Sequence, residues 1–208
     1  MVKTRLVALA LTSVFLVAGC GLEDDGTSDV PTPEAQDSDP AIPSEIGHIE
    51  LSWEGPQGDF TRSMEEGDFE PPNGGSFTSS GAVLQRGERV AQLDMKWVDP
   101  NEQAPEEDLD SIRWAINFGL EQGFTIEPGT YEVTKAQPDD GSPWFNGSND
   151  PELRYSSTER WYGNSVQGLL TIEEVNDENM TGTLVITGDF LSNDGTFRLA
   201  VGFNADAQ

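Results

Sequence analysis

The chain has 208 residues, and its 38 Asp and Glu against 11 Lys and Arg give a formal net charge of −27 at pH 7. This acidic excess argues against a nucleic-acid partner, because proteins that bind nucleic acids neutralise phosphates with Lys and Arg. With one His, His48, and one Cys, Cys20, the chain lacks the residues for an internal disulfide, for a zinc site of Cys and His ligands, and for a Ser-His-Asp or Cys-His catalytic arrangement.

The first 20 residues have the pattern of an export signal. Lys3 and Arg5 precede an almost wholly apolar run, Leu6 to Ala18. This is the order of charged and apolar regions in a signal peptide, and the run is too short to span a bilayer, which takes about 20 residues. The segment ends in Leu16-Val17-Ala18-Gly19-Cys20. That ending resembles the lipobox of bacterial lipoproteins, in which the Cys is lipidated and becomes the first mature residue.

The resemblance implies that residues 1–19 are removed and that Cys20 carries a diacylglycerol and usually a third acyl chain, such as palmitate, on its amine. Several acyl chains together give stable anchoring where one chain does not. In Gram-negative bacteria an Asp directly after the Cys often retains such proteins in the inner membrane, whereas this chain has Gly21. The resemblance therefore implies the outer membrane in a Gram-negative host and otherwise the outer face of the cytoplasmic membrane.

Residues 20–46 form the predicted tether between the lipidated Cys20 and a folded domain. From Gly21 to Ile46 there are eight acids and four prolines, with no Lys, Arg or aromatic residue. Low hydrophobicity with high charge does not offset the entropy lost on ordering, so the composition predicts disorder. As a relaxed coil the segment would span about 25–30 Å. We interpret it as a spacer, and a docking tail for a basic partner is the alternative.

Residues 47–208 are predicted to be one all-β domain. Apolar residues alternate with polar ones in several short segments separated by turn signals, which is the period of a half-buried strand. Asn193-Asp194-Gly195 is a strong hairpin signal before the last segment. We expect an antiparallel β-sandwich or barrel of about eight to ten strands. The alternating apolar positions, in chain order, are Ile49, Leu51, Trp53; Ala91, Leu93, Met95, Trp97; Ile112, Trp114, Ile116, Phe118; Tyr131, Val133; Val166, Leu170, Ile172; Met180, Leu184, Ile186, Phe190; and Phe197, Leu199, Val201, Phe203.

Two segments allow more than one interpretation. Residues 105–123 also fit a helix that begins at Pro105, but their Trp, Phe and Ile content favours a strand from Ser111 to Gly119. Residues 153–162 could form one further strand.

The last 80 residues or so resemble the β-sandwich domains of bacterial surface lipoproteins. The resemblance is carried by Gly129-Thr130-Tyr131, Gly168-Leu169-Leu170-Thr171-Ile172 and Met180-Thr181-Gly182-Thr183-Leu184. Most such domains have no assigned function, so the resemblance implies the fold and nothing about activity.

Three aromatic residues are candidates for ligand binding: Trp144, Trp161 and Tyr162. Trp144 stands in a polar stretch, and Trp161 and Tyr162 stand beside Gly163-Asn164. Exposed aromatic rings can stack on the apolar faces of sugars or peptides, whereas rings that close one end of a sandwich serve packing. The candidate ligands are a glycan and a surface protein.

The residues between Pro138 and Pro151 carry a candidate structural calcium site with the ligands Asp139, Asp140, Asn146 and Asp150. Calcium takes six to eight oxygen ligands of this kind, although the spacing does not match an EF-hand loop and turn-forming Asp and Asn are also expected here for backbone reasons. The sequence implies no other cofactor.

We expect a non-enzymatic binding or scaffolding protein at the cell envelope, because the chain lacks the catalytic residue sets named above. A carbohydrate-binding module is one alternative. A carboxylate glycosidase is a second alternative, since Glu173, Glu174, Asp177 and Glu178 cluster in the sequence. No glycosidase motif accompanies these acids, and in so acidic a chain clusters are expected by chance.

Overall fold

A computed structural model describes residues 32–55, 58–69, 80–98, 109–146, 152–155, 159–190 and 195–208, with the backbone alone described for 109–110, 152–155, 159–164 and 190. Over these residues the fold is all-β, as the sequence predicts, and the one helical element is a single 3₁₀ turn at Leu120–Gln122. Within the described residues, no helix has the length and apolar character needed to cross a membrane.

In the part of the chain that the structure describes, eleven strands belong to one sheet, slightly more than the eight to ten expected. In chain order they are β1 Ile49–Glu54, β2 Phe60–Ser63, β3 Gly81–Arg86, β4 Ala91–Val98, β5 Leu109–Phe118, β6 Gly129–Val133, β7 Trp144–Phe145, β8 Glu152–Tyr155, β9 Glu159–Val175, β10 Asn179–Phe190 and β11 Thr196–Ala207. The sequence analysis missed β2, β3 and β7. It also placed one strand at residues 153–162, where β8 and the start of β9 pair antiparallel.

The sheet curls into a nearly closed barrel. Its strands follow the order β10-β9-β8-β5-β4-β3-β11, and β10 and β11 pair with each other along most of their length. Two residue pairs, Asp206 with Val83 and Ala207 with Leu84, join β11 to β3, and this junction is parallel in an otherwise antiparallel path. A barrel that returns on itself leaves few unpaired strand edges. The β1–β2 hairpin extends the sheet from β11, β6 pairs with β9, and β7 pairs with β5.

The barrel interior is filled by the predicted apolar faces. On β1 the residues Ile49, Leu51 and Trp53 are buried, and the alternating positions of β4, β5, β9, β10 and β11 join them in one core. Each end carries stacked aromatic rings. Trp53 lies between Phe60 and Phe197, with ring centroids 6.3 and 5.0 Å away. At the opposite end Phe124 stacks on Phe118 and meets Tyr131 edge-on.

Within the ambiguous segment, residues 105–123, the structure has a strand, β5, from Leu109 to Phe118. Its residues 111–118 pair in unbroken antiparallel register with β4. Ile112, Trp114 and Ile116 point into the core, while Ala115 is buried outside that core cluster. A helix with the same spacing would have placed Leu109, Ile112 and Ile116 on one face and left the edge of β4 unpaired. The β-branched and aromatic content therefore outweighed the helical spacing.

Residues 32–46, called the strap below, lie against the outer face of the barrel. The chain passes over β9 at Thr32, reaches β11 at Glu34 and follows β11 up to Gly47. These residues belong to the segment that composition predicts to be disordered. The described part is nevertheless docked, because its partners are side chains of distant strands that a local composition argument does not include.

Candidate functional site

The strap is fixed at its first part by Arg198 of β11. The guanidinium Nη2 of Arg198 lies 2.7 Å from Oδ1 of Asp39, and it donates hydrogen bonds to Asp39 Oδ2 at 2.8 Å and to the Glu34 carbonyl at 3.2 Å. Asp39 Oδ2 also accepts the backbone N–H of Gln36 at 2.8 Å, which closes a turn within the strap. Both charged side chains are 11% exposed. The ion pair is therefore largely removed from water. Its electrostatic attraction is less screened in this position than at an open surface.

The second part of the strap is held by Gly202 and Asn204, further along β11. A methyl group on Gly202 would lie 2.1 Å from the carbonyl oxygen of Ala41, so the strap backbone approaches as closely as only glycine permits. The amide Nδ2 of Asn204 donates to the carbonyls of Pro43 at 3.3 Å and Ser44 at 3.2 Å. The backbone carbonyl of Asn204 accepts the N–H of Gly47, where the strap ends.

A surface cavity of about 310 Å³, called the hairpin-end cavity, opens beside the first part of the strap. It lies at the end of the barrel where β10 leads into β11. Its lining includes Thr187 and Thr196, which carry hydroxyls, and Glu54 and Arg198, which carry charges, whereas Phe197 borders it with its ring buried in the core. Gly55 and Gly188 also line the cavity and contribute no side chains. A few polar groups around an apolar wall are typical of a small-molecule site, although this volume is at the lower limit of such sites.

A second cavity of about 250 Å³ lies between the end of β2 and the ends of β3 and β4. It is lined by Ser63, Met64, Glu65, Asp68, Ser80, Trp97 and Val98. The guanidinium carbon of Arg62 sits 5.5 Å from the centre of the Trp97 ring and 4.8 Å from that of Phe60. Ser80 Oγ joins both backbone groups of Val98, accepting its N–H at 2.9 Å and donating to its carbonyl at 3.1 Å. The Arg62 contact connects the β1–β2 hairpin to β4, and the Ser80 bonds connect the start of β3 to the end of β4.

The three predicted ligand-binding aromatic residues do not form one described platform. Trp144 is 7% exposed, which agrees with the packing alternative, and it pairs through its backbone with Asn117 of β5. Its polar sequence neighbours suggested a loop, but β7 attaches this residue to the sheet. Trp161 and Tyr162 lie on β9 where it pairs with β8, and their side chains lie outside the description.

No described contact brings the four predicted calcium ligands together. Asp139 and Asp140 are exposed, Asn146 directs its amide to Gln92 at 3.5 Å, and Asp150 lies outside the described part. Hydrogen bonds from the Ser142 side chain and backbone lower the pKa of the Asp140 carboxyl below its ordinary value of 3.8. Between residues 32 and 208, where described, no group of three or more His, Cys, Asp or Glu is placed to hold a metal ion. The calcium hypothesis gains no support from this geometry.

The acids considered for glycoside hydrolysis lie around the turn between β9 and β10. The carboxylate of Glu174 accepts from the Asn176 amide at 3.0 Å, and Asp177 pairs with Arg86 at 3.5 Å. Asn176 also accepts the backbone N–H groups of Glu178 and Asn179. These hydrogen bonds organise a turn, in which Asn and Asp are favoured for backbone reasons.

His48 packs at the junction of the strap and β1. Its Nδ1 lies 3.3 Å from the carbonyl of Ile46, and its Nε2 lies 3.1 Å from the carbonyl of Glu65 and 3.2 Å from the Glu45 carboxylate. The residue is 6% exposed, so His48 fills the junction as a packed residue.

The sequence analysis missed Arg198, Gly202 and Asn204 as functional residues, although each left a signal. They alternate along β11 on the face opposite Leu199, Val201 and Phe203. A glycine inside a strand often marks close approach of another backbone segment. A lone Arg on the outer face of so acidic a chain also needs a counter-charge. What the sequence does not show is which of its many carboxylates supplies it.

Comparison with known proteins gives no relative: no family model matches the chain, and neither the curated proteins nor the solved structures contain a match.

Proposed function

We propose that this chain is an exported lipoprotein whose β-barrel domain binds or scaffolds a partner at the cell envelope. The supporting observation is Leu16-Val17-Ala18-Gly19-Cys20 behind a basic start and a short apolar run. Those residues precede the described part. Cys20 carries the lipid and is the residue through which the protein contacts the membrane.

The packing of the barrel supports a role at its surface. Large side chains fill the interior, and Trp53, Trp114, Phe118, Phe145 and Phe203 are fully buried there. Rigid, filled barrels carry their binding residues on loops and outer faces. The two surface cavities described above are concave sites on this surface, and the hairpin-end cavity has the larger volume of the two.

The test of the anchoring is metabolic labelling with radioactive palmitate in a bacterial host. The full chain should incorporate label and sediment with membranes, and Cys20→Ser should do neither. Ser closely matches Cys in size and cannot accept the thioether-linked lipid, which makes it the matched control. Equal labelling of the two chains would overturn the proposal.

A second candidate function, carbohydrate binding, is favoured by the lining of the hairpin-end cavity. The hydroxyls of Thr187 and Thr196 and the carboxylate of Glu54 are groups that hydrogen-bond to sugar hydroxyls. The sequence predicts this function for Trp144, Trp161 and Tyr162, so the site differs from the one expected. A glycan array with the full chain tests it: a hit that is lost in Thr196→Trp, which fills the cavity, and kept in Thr130→Trp, on the outer face of β6, supports it. No hit, or a hit kept by both variants, contradicts it.

A further inference from the structure

The chain enters the folded domain at one defined end of the barrel. Thr32 Oγ1 donates to Gln167 Oε1 at 3.2 Å. In the register of the sheet Gln167 pairs with Thr187, and Thr187 pairs with Arg198. This row lies close to where β10 leads into β11, since Asp189 and Thr196 are the last residues paired there. We call this the hairpin end, and the end where β9 leads into β10 the far end.

Docking of the strap shortens the free chain between Cys20 and the domain. Eleven residues, 21–31, precede Thr32, and as a relaxed coil they span about 17–20 Å. Stretched to the limit of about 3.3–3.6 Å per residue they reach about 40 Å. If residues 32–46 were also free, the same limit would be about 90 Å. A lipid on Cys20 therefore restricts the hairpin end far more than a fully free tether would.

The strap contacts span the distance between the two ends. Arg198 holds its first part in a pair that is 11% exposed on each side, Gly202 admits its backbone, and Asn204 holds two successive carbonyls. From Thr196 to Ala205 on β11 is a rise of about 30 Å at about 3.3 Å per residue. The strap runs along most of this length, so release of its first part alone would let the free chain leave the barrel further from the hairpin end.

We propose that the docked strap orients the domain on the membrane, with the hairpin end facing the lipid surface and the far end facing away. The inference rests on the proposed lipid anchoring through Cys20. It places the hairpin-end cavity next to the bilayer, where its ligand is a molecule of the lipid–water interface. The acid-rich turn at Asn176–Glu178 then faces outward, which keeps these like charges away from anionic headgroups.

The test measures energy transfer from a dye on the full acylated chain to a dye-labelled lipid in phosphatidylcholine vesicles. Thr196→Cys places the donor at the hairpin end and Glu127→Cys places it at the far end, and both sites are exposed. Cys20 does not react with the dye, because lipid blocks its sulfur. Transfer should be clearly greater from position 196 than from position 127. Equal transfer, or greater transfer from position 127, would overturn the orientation.

Two variants in the strap test whether its docking causes this orientation of the domain. Asp39→Ala removes the carboxylate that Arg198 holds, and Asp37→Ala removes an exposed acid two residues away. The difference in transfer should shrink in Asp39→Ala and persist in Asp37→Ala. A difference that survives in both would show that the strap does not set the orientation.

Hydrogen exchange separates this inference from the anchoring proposal. Amides of the strap, such as those of Gln36 and Asp39, should be protected in the full chain on vesicles. Unprotected strap amides in a membrane-bound protein would overturn the inference alone. A chain that fails to take up palmitate and does not bind vesicles would overturn the anchoring, whether or not its strap is protected.

Discussion

Arg198 and Asp39 lie 159 residues apart in sequence, and their charged groups meet 2.7 Å apart on the outer face of the barrel. The pair joins the strap to the last strand of the sheet. We expect Arg198→Met to destabilise the domain by about 3 kcal/mol, because removing one member of a buried pair leaves the other charge uncompensated. Urea unfolding followed by tryptophan fluorescence measures this value.

The matched control is Arg89→Met. Arg89 also pairs with a carboxylate, that of Glu121, but its side chain is 78% exposed and that of Glu121 is 35% exposed. Exposed pairs contribute about 0–1 kcal/mol. Similar losses in Arg198→Met and Arg89→Met would show that the strap pair is no better shielded from water than an ordinary surface pair.

Gly202 should tolerate no side chain while the strap is docked. Gly202→Ala brings a methyl group within 2.1 Å of the Ala41 carbonyl and 3.0 Å of the Pro40 carbonyl. We expect a loss of about 1–3 kcal/mol, as for other overpacked sites, and faster hydrogen exchange across the strap.

Gly182→Ala is the comparison for this steric effect. Its methyl group would lie 2.1 Å from the Thr171 carbonyl and 2.9 Å from the Phe203 ring, and neither of these is part of the strap. It should destabilise the sheet without selectively exposing the strap amides. Unchanged strap exchange in Gly202→Ala would contradict the close approach of Ala41.

Trp144 should matter for stability. Trp144→Ala removes a buried side chain from β7, and such truncations cost about 3–5 kcal/mol. Trp144→Phe keeps much of the apolar volume and should cost clearly less. Denaturation midpoints of the two variants check this order. If Trp144→Ala unfolded at the wild-type midpoint, the ring would not be packed as described.

Asp140 provides a test of local electrostatics by pH. The bonds from Ser142 lower the pKa of its carboxyl below the ordinary 3.8. A lowered folded-state pKa stabilises the turn above the unfolded-state pKa, and that contribution is lost as the pH falls through the folded-state value. An NMR titration of the Asp140 carboxyl carbon should have its midpoint below 3.8, and Ser142→Ala should raise it. An unchanged midpoint in Ser142→Ala would contradict the assigned cause.

The all-β fold could be predicted because alternating burial is a local property of each strand. The alternation of Ile49, Leu51 and Trp53 with polar residues predicts which face of β1 is buried. The aromatic and β-branched content of β5 predicts a strand despite the helical spacing. Short strands escaped prediction where the pattern is too brief to read. β2 is largely exposed, and β7 has two residues, so its pairing with β5 depends on tertiary context.

The docking of the strap and the hairpin-end cavity escaped prediction, and the reason differs from that for the short strands. Composition gives the entropy cost of ordering residues 32–46 but not the groups that offset it. The surface that holds the strap forms only after β11 has aligned every second side chain on the outer face of the barrel. That surface consists of Arg198, Gly202 and Asn204. The sequence also offers many carboxylates to one arginine, and distance along the chain does not select Asp39.

β11 follows all of its partners in chain order, and this affects how the protein folds. It pairs with β1, β3 and β10 and holds the strap. Three of these four contacts join residues separated by more than one hundred positions, and such long loops must close before the contacts are gained, which slows folding. Until β11 is synthesised, the chain has neither a closed barrel nor a surface for the strap. We therefore expect a late, cooperative folding step that keeps the chain unfolded while most of it is being made, which is the state that export across a membrane in extended form requires.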